Sequence, residues 1–304
     1  MTPRWPTFFI VGAPKTGTTS LYHYLDQHPG IYMSPVKEPS YFASEVRAEH
    51  FSREFTSAAA RSGIQIRDYL IADCEDYLRL FEKADGETAL GEASVCYLWS
   101  PTAAANIRSR IPEAKIMMIL RHPAERAFSE YLQYAGNGLV RWSFRGQIER
   151  SSRHTQREYN TLYPFLEYGL YYRQVKAYLD LFPRANVQIS LYEEAWNDPP
   201  RFLKTIFEFL NVDAAFTADV SHRHIQAEAP RFLASYYWSR KSELALRLKA
   251  LIPKTMRKGV RTALFKSHGL RMDAPDRRYL CDYYRDDIGK LSSLLDRDLG
   301  AWLR

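Results

Sequence analysis

TFFIVGAPKTGTTSLYHYLDQHPG, residues 7–30, runs from an apolar segment through a glycine loop into a patterned polar segment. TFFIVGA (7–13) is short, apolar and ends in glycine, as a buried strand does. Leu21, Tyr24, Leu25 and His28 then recur at helical spacing, until His28-Pro29-Gly30 stops the run. Strand, glycine loop and helix in this order make an anion cradle. Backbone N–H groups at the helix start face the anion, and the helix dipole adds to them. Gly12 and Gly17 keep the glycine spacing of a Walker loop, G-x-x-x-x-G-K-[ST]. Thr18 stands where that loop has its lysine, and Lys15 lies three positions earlier. Lys15, Thr16, Gly17, Thr18, Thr19 and Ser20 are the candidate anion-binding residues of the cradle.

The same alternation continues along the chain. KIMMIL (115–120) reads as a second buried strand with a helix after it over 124–135. NVQISL (186–191) reads as a third strand, followed by Pro199-Pro200 and a helix over 201–210. The C-terminal segment 287–303 is amphipathic, with Ile288, Leu291, Leu295, Leu299 and Trp302 near one face. Strands that alternate with helices predict a parallel sheet with helical layers: a P-loop-like central parallel β-sheet flanked by helices on both faces. Two stretches resist this pattern, 36–66 and the Arg- and Tyr-rich 137–168, and loops of such length are usually functional or mobile.

At 304 residues and 46% hydrophobic content the chain is long enough for one large core, so a single domain over 1–304 is expected. Cys74, Cys96 and Cys281 form no C-x-x-C pair and leave an odd count, which predicts reduced thiols in a reducing compartment. The longest apolar run, IMMIL, is too short to span a bilayer, and the N-terminus lacks a signal-peptide pattern. A cytoplasmic protein without a transmembrane segment is expected. The net charge of +7 favours anionic partners without choosing among them. No zinc-finger spacing, RNP-type motif or polybasic block points to nucleic acid.

Lys15 rises from the crown of the loop instead of the first helical turn. From there it reaches a group attached to a 5′-phosphate, or the oxygen that bridges to it. That suits a transferred group less charged than a phosphoryl group, one that needs no metal to neutralise it, such as a sulfuryl group. GAPKTGTTSLYHYLDQHP resembles the 5′-phosphosulfate loop of sulfotransferases that use 3′-phosphoadenosine 5′-phosphosulfate (PAPS). The likeness continues in family order. MSPVKEPSYF (33–42) is similar to the catalytic-base segment of the carbohydrate, heparan-sulfate-type branch. GEASVCYLWSP (91–101) resembles the segment that follows it. KIMMILRHPAERAFSEYLQY (115–134) resembles the 3′-phosphate strand, loop and helix. EYGLYYRQVKAYLDLFP and VQISLYEE extend the match.

The resemblance implies PAPS as co-substrate, no metal, and a carbohydrate acceptor. It assigns Arg121 and Ser129 to the 3′-phosphate. Arg121 at a strand end suits this role, since α/β sheets bind ligands there and a guanidinium with a hydroxyl holds a phosphate well. The alternative is a structural ion pair, with Arg126 as another surface partner. The resemblance also makes Glu38 the catalytic base, since sulfuryl transfer requires the acceptor to lose a proton. Pro35 and Pro39 expose the segment, and neighbouring Tyr41 and Phe42 would desolvate the carboxylate. The rival reading is an ion pair with Lys37.

Ala93 stands where animal heparan-type enzymes have lysine, and their C-terminal cysteine pair is absent. SHRHIQAEAPRF (221–232) instead resembles bacterial members and offers Arg223 to the nucleotide. Arg141, Arg145, Arg150, Arg153 and Arg157 either line an acceptor cleft or form a solvated basic stretch. Two other functions fit part of the pattern: a P-loop nucleotide kinase, and a sulfotransferase acting on a natural-product or phenolic hydroxyl.

Overall fold

The computed structural model describes residues 4–61, 70–221, 229–242, 265–266 and 270–304. Its centre is a five-stranded parallel sheet. In chain order the strands are β1 (Phe8–Gly12), β2 (Ile31–Met33), β3 (Ala89–Ala93), β4 (Lys115–Leu120) and β5 (Val187–Leu191). In space they run β2-β3-β1-β4-β5. β1 pairs in parallel with β3 on one side and β4 on the other, and every residue of β1 is buried. Burial on both faces is why its sequence is a continuous apolar run instead of an alternating one.

The helices are α1 (Thr18–Leu25), α2 (Arg53–Arg61), α3 (Cys74–Arg79), α4 (Cys96–Trp99), α5 (Ala103–Arg110), α6 (Pro123–Gly136), α7 (Phe144–Ser152), α8 (Tyr171–Leu181), α9 (Tyr192–Ala195), α10 (Pro199–Leu210), α11 (Leu233–Lys241) and α12 (Ala274–Leu295). Alternate β1 side chains enter two cores. Phe9 and Val11 pack with α3 to α8 and α12, whereas Phe8 and Ile10 pack with α1 and α10. Helix starts follow local chemistry. Pro123 opens α6, where the His122 ring accepts the Ala124 N–H at 3.3 Å. Pro199 opens α10, where Asp198 accepts from Arg201 N at 3.2 Å.

Three expectations need correction. The C-terminal helix begins at Ala274 and ends at Leu295, where Asp296 takes a left-handed φ of 48°. Leu299 and Trp302 are buried, but Trp302 lies on a separate 3-10 turn, Gly300–Leu303. The stretch 137–168 contains α7, which starts at Ser143, whose hydroxyl accepts from Gly146 N. The stretch 36–66 contains α2 and an irregular run before it. The thiols of Cys74, Cys96 and Cys281 are free, and Cys96 and Cys281 are buried. Among the described residues no helix is long and apolar enough to cross a membrane.

Candidate active site

The segments singled out in the sequence lie at the C-terminal ends of parallel strands, around the central β1. The cradle follows β1, Lys37 and Glu38 follow β2, Ser94 follows β3 and Arg121 follows β4. This is where open α/β sheets take ligands.

Within the cradle, Gly17 caps α1 with a φ of 84°, and a Cβ there would meet the Trp196 ring at 2.7 Å. Glycine is required on both counts. Trp196, just after α9, donates its indole N–H to Thr16 O at 2.9 Å and so braces the loop from the far strand. Thr16 is turned inward: its hydroxyl donates to Ala13 O at 2.7 Å, and the residue is fully buried. Its side chain closes the loop on itself instead of facing a ligand. Thr18 is buried at the start of α1, while Thr19 and Ser20 are half-buried in the first turn.

Lys15 and Glu38 share an unusual backbone state. Each has a φ of 67°, in the left-handed region that non-glycine residues rarely adopt, and Ser40 follows at 56°. Such residues cost on the order of 1–3 kcal/mol each and persist where the surroundings hold them. Burial pushes the Lys15 ammonium below the ordinary lysine value. Glu130 opposes that shift, Arg121 adds to it, Glu38 opposes it and Lys37 adds to it. Lys15, Arg121, Lys37, Glu38 and Glu130 therefore share one electrostatic neighbourhood. A lysine whose charged form is disfavoured by burial and by a neighbouring guanidinium is relieved by a bound anion.

Arg121 donates from Nη1 to Lys15 O at 3.1 Å and lies over the Tyr192 ring at 4.5 Å. Its closest carboxylate, Glu125, is 4.0 Å away and is engaged by Arg277. Arg121 is thus joined to the cradle and only loosely paired. Arg126 is not a surface partner. It is fully buried, bonded to Glu130 at 2.5 Å and to Phe165 O at 2.5 Å. That pair, with Tyr134 donating to Glu130 at 2.8 Å, fixes a negative charge near Lys15. Ser129 is half-buried in the second turn of α6, beside Glu130. Arg223 lies outside the described residues.

Glu38 keeps a 2.6 Å ion pair with Lys37, and its side chain is 37% exposed. Tyr41 and Phe42 do not desolvate it. Their rings turn into a cluster with Trp5 and Tyr77, where Tyr41 stacks on Tyr77 at 4.3 Å. Glu92 does not face a cleft. It is fully buried and accepts hydroxyls from Tyr77 at 2.5 Å, Ser94 at 2.6 Å and Tyr97 at 3.2 Å. Burial pushes its carboxyl up to about 7, against the pull of the three hydroxyls. The folded state then holds a proton on Glu92 between about pH 4.5 and 7 that the unfolded chain releases. Its stabilising effect is present at low pH and lost as pH rises through 7. The stability of the parent relative to Glu92→Gln should fall by about 2–3 kcal/mol between pH 5 and pH 8, measured by denaturant unfolding at each pH.

The arginines of the 137–168 stretch have separate partners. Arg145 pairs with Asp276 of α12 at 2.7 Å, Arg150 lies over Trp142, and Arg157 donates to Tyr163. Arg141 lies over Trp238, and Arg153 is exposed. His122 is the α6 cap and is pushed down to about 4 by burial and by Arg277. Its ring is therefore neutral at physiological pH. Trp196, Tyr192 and Glu130 escaped the sequence reading. Only Tyr192 carried a signal, the Tyr-Glu pair that follows its strand.

A model of the sulfotransferase family matches residues 6–217, which span the cradle, Glu38, Arg121 and Trp196. The chain belongs to the sulfotransferase family. It is similar over nearly its whole length to the crystal structure of a sulfotransferase from Alicyclobacillus acidocaldarius, with 32% identity, a TM-score of 0.74, and coverage of 99% of this chain and 100% of the other. The sulfotransferase domain from the curacin biosynthetic pathway, 17% identical at a TM-score of 0.50 over 97% of this chain and 99% of the other, shares the fold. Among curated proteins, carbohydrate sulfotransferase 15 of Rattus norvegicus is 25% identical over 257 residues, 68% of this chain and 44% of the relative. The bifunctional heparan sulfate N-deacetylase/N-sulfotransferase 3 of Homo sapiens is 27% identical over 318 residues, 99% of this chain and 31% of the relative. The chain thus spans less than half the length of these curated relatives.

Proposed function

We propose that this sulfotransferase moves a sulfuryl group from PAPS to a hydroxyl or amine of a carbohydrate or glycoconjugate. The observation that carries the reading is the meeting of Lys15, Arg121 and Glu38 around one glycine cradle. A bisphosphate nucleotide fits it: burial disfavours the Lys15 ammonium until an anion meets it, and Arg121 is only loosely paired with Glu125. The donor supplies the sulfuryl group and departs as adenosine 3′,5′-bisphosphate. The cradle N–H groups and Lys15 hold the 5′ end, and Arg121 with Ser129 holds the 3′-phosphate. Glu38 takes the proton from the acceptor as the acceptor's oxygen or nitrogen bonds to sulfur and the bond from sulfur to the phosphate oxygen breaks. Lys15 meets the charge that grows on that oxygen, where help counts most. No metal is needed in this scheme. The sugar acceptor rests on the KEPSYF segment and on two relatives whose names specify carbohydrate and heparan sulfate.

Calorimetric titration tests the donor. Adenosine 3′,5′-bisphosphate should bind tightly in the presence of EDTA, and more tightly than ATP–Mg²⁺. The reverse order would favour a nucleotide kinase. Arg121→Ala should weaken adenosine 3′,5′-bisphosphate by about 1.5–3 kcal/mol and leave adenosine 5′-phosphate nearly unchanged, since only the first carries the 3′ group. Equal weakening of both would place Arg121 away from the 3′-phosphate.

A further inference from the structure

The main chain from Glu38 to Ser40 is held in a costly shape, with φ of 67° at Glu38 and 56° at Ser40. Neither residue is glycine, so the shape must be imposed from outside. Four hydrogen bonds join residues 38–42 to β3, the turn after it and α4. Glu38 N donates to Ala93 O at 2.9 Å. Ser40 N donates to Ser94 Oγ at 3.1 Å, and Phe42 N donates to Tyr97 Oη at 3.1 Å. Cys96 Sγ donates to Ser40 Oγ at 3.3 Å.

Two of these acceptors are themselves oriented. Ser94 and Tyr97 each spend their single hydroxyl proton on Glu92, at 2.6 and 3.2 Å. A hydroxyl proton directed at a carboxylate leaves the oxygen lone pairs facing away from it, toward the two main-chain N–H groups. One buried carboxylate thereby sets the acceptor direction of both. Tyr77 gives Glu92 a third hydroxyl at 2.5 Å but has no hydrogen bond to residues 38–42.

We infer that Glu92 is a positioning residue for Glu38, acting through the Ser94 and Tyr97 hydroxyls to fix the main chain at residues 40 and 42. The inference rests on the reading of Glu38 as the base. Glu92 touches no reacting group. It sets the direction from which Glu38 meets the acceptor, and small displacements of such a group are costly in rate. Glutamine at 92 has one carbonyl for three hydroxyls, so at least one loses its acceptor and its rotor is released; the protonated carboxyl has the same shortage, so parent and variant are compared at pH 8, where Glu92 is ionised.

Four variants of the full chain separate this role from general support: Glu92→Gln, Ser94→Ala, Tyr97→Phe and Tyr77→Phe. Backbone amide exchange is read at Ser40 and Phe42. Sulfuryl transfer from labelled PAPS is read on N-desulfated heparin or p-nitrophenol, whichever the parent sulfates. Ser94→Ala should speed exchange at Ser40, Tyr97→Phe at Phe42, and Glu92→Gln at one or both of them, each by about tenfold or more. The same three should lose about tenfold or more in kcat with affinity for adenosine 3′,5′-bisphosphate unchanged. Tyr77→Phe removes a hydroxyl from the same carboxylate, yet should change neither exchange nor kcat. If Glu92→Gln folds poorly, Ser94→Ala carries the test alone.

Parental exchange in Glu92→Gln, or a kcat loss in Tyr77→Phe equal to the others, overturns the inference. So does faster exchange with kcat unchanged. A parent that neither binds adenosine 3′,5′-bisphosphate nor transfers label overturns the functional reading beneath it, an outcome distinct from the failure of the brace alone.

Discussion

Glu38→Gln should bind adenosine 3′,5′-bisphosphate as the parent does and turn over about 10²–10⁴-fold more slowly, the range for loss of a positioned base. The amide keeps the shape of the side chain and can still accept a hydrogen bond from Lys37, now 2.6 Å from the carboxylate, but it takes no proton at neutral pH. The segment is anchored by its backbone, through Ala93 O, Ser94 Oγ and Tyr97 Oη, so the change should not unfold it. The acidic limb of the pH–rate profile should disappear with the carboxylate. Turnover within a few-fold of the parent would show that Glu38 is not the base. Glu92 is a poor replacement, being fully buried and surrounded by three hydroxyls.

Lys15→Ala should lose about 2–4 kcal/mol of transition-state stabilisation, seen in kcat, while retaining part of its affinity for the product nucleotide. The ammonium sits at the crown of the loop among Glu130, Arg121 and Glu38, and burial already weakens its hold on its proton. Charge that develops beside it in a water-poor site interacts more strongly than it would in solvent. The cradle itself is held by Trp196 and by the Thr16 hydroxyl, neither of which involves the Lys15 side chain, so the loop should keep its form. Near-parental turnover in this variant would remove the leaving-group role.

The frame of the sheet was readable because parallel strands buried on both faces are written as unbroken apolar runs. Phe8–Gly12 and Lys115–Leu120 fall where those runs predict them, whereas Val187–Leu191, an edge strand buried only at its two ends, alternates apolar and polar residues. Pro123 and Pro199 marked two helix starts for an equally local reason, a fixed φ that suits the first helical position. The last helix was misplaced because its apolar positions continue past the chain reversal. Leu299 and Trp302 are buried like helix residues, although Asp296 has already turned the backbone to a φ of 48°.

In the candidate site, the backbone motif was legible and the side-chain directions were not. Hydroxyls in a glycine loop read as ligand donors, yet Thr16 closes on Ala13 O. Aromatic residues beside Glu38 read as its shield, yet Tyr41 and Phe42 find better partners in Trp5 and Tyr77. Trp196 supports Thr16 O from far along the chain, a contact that only strand order creates. Glu92 was visible as an acidic residue after a glycine. Its place beneath three hydroxyls depends on α3 and α4 folding over β3.

The central claim is sulfuryl transfer from PAPS through Glu38, and transfer of labelled sulfate tests it most directly. The parent and Glu38→Gln are incubated with labelled PAPS, EDTA and a panel of desulfated glycosaminoglycans, glycolipids, phenols and tyrosine peptides. The account predicts label on a carbohydrate acceptor with the parent, matched by release of adenosine 3′,5′-bisphosphate, and about 10²–10⁴-fold slower labelling with Glu38→Gln. No label on any acceptor, or equal labelling by both proteins, would contradict it.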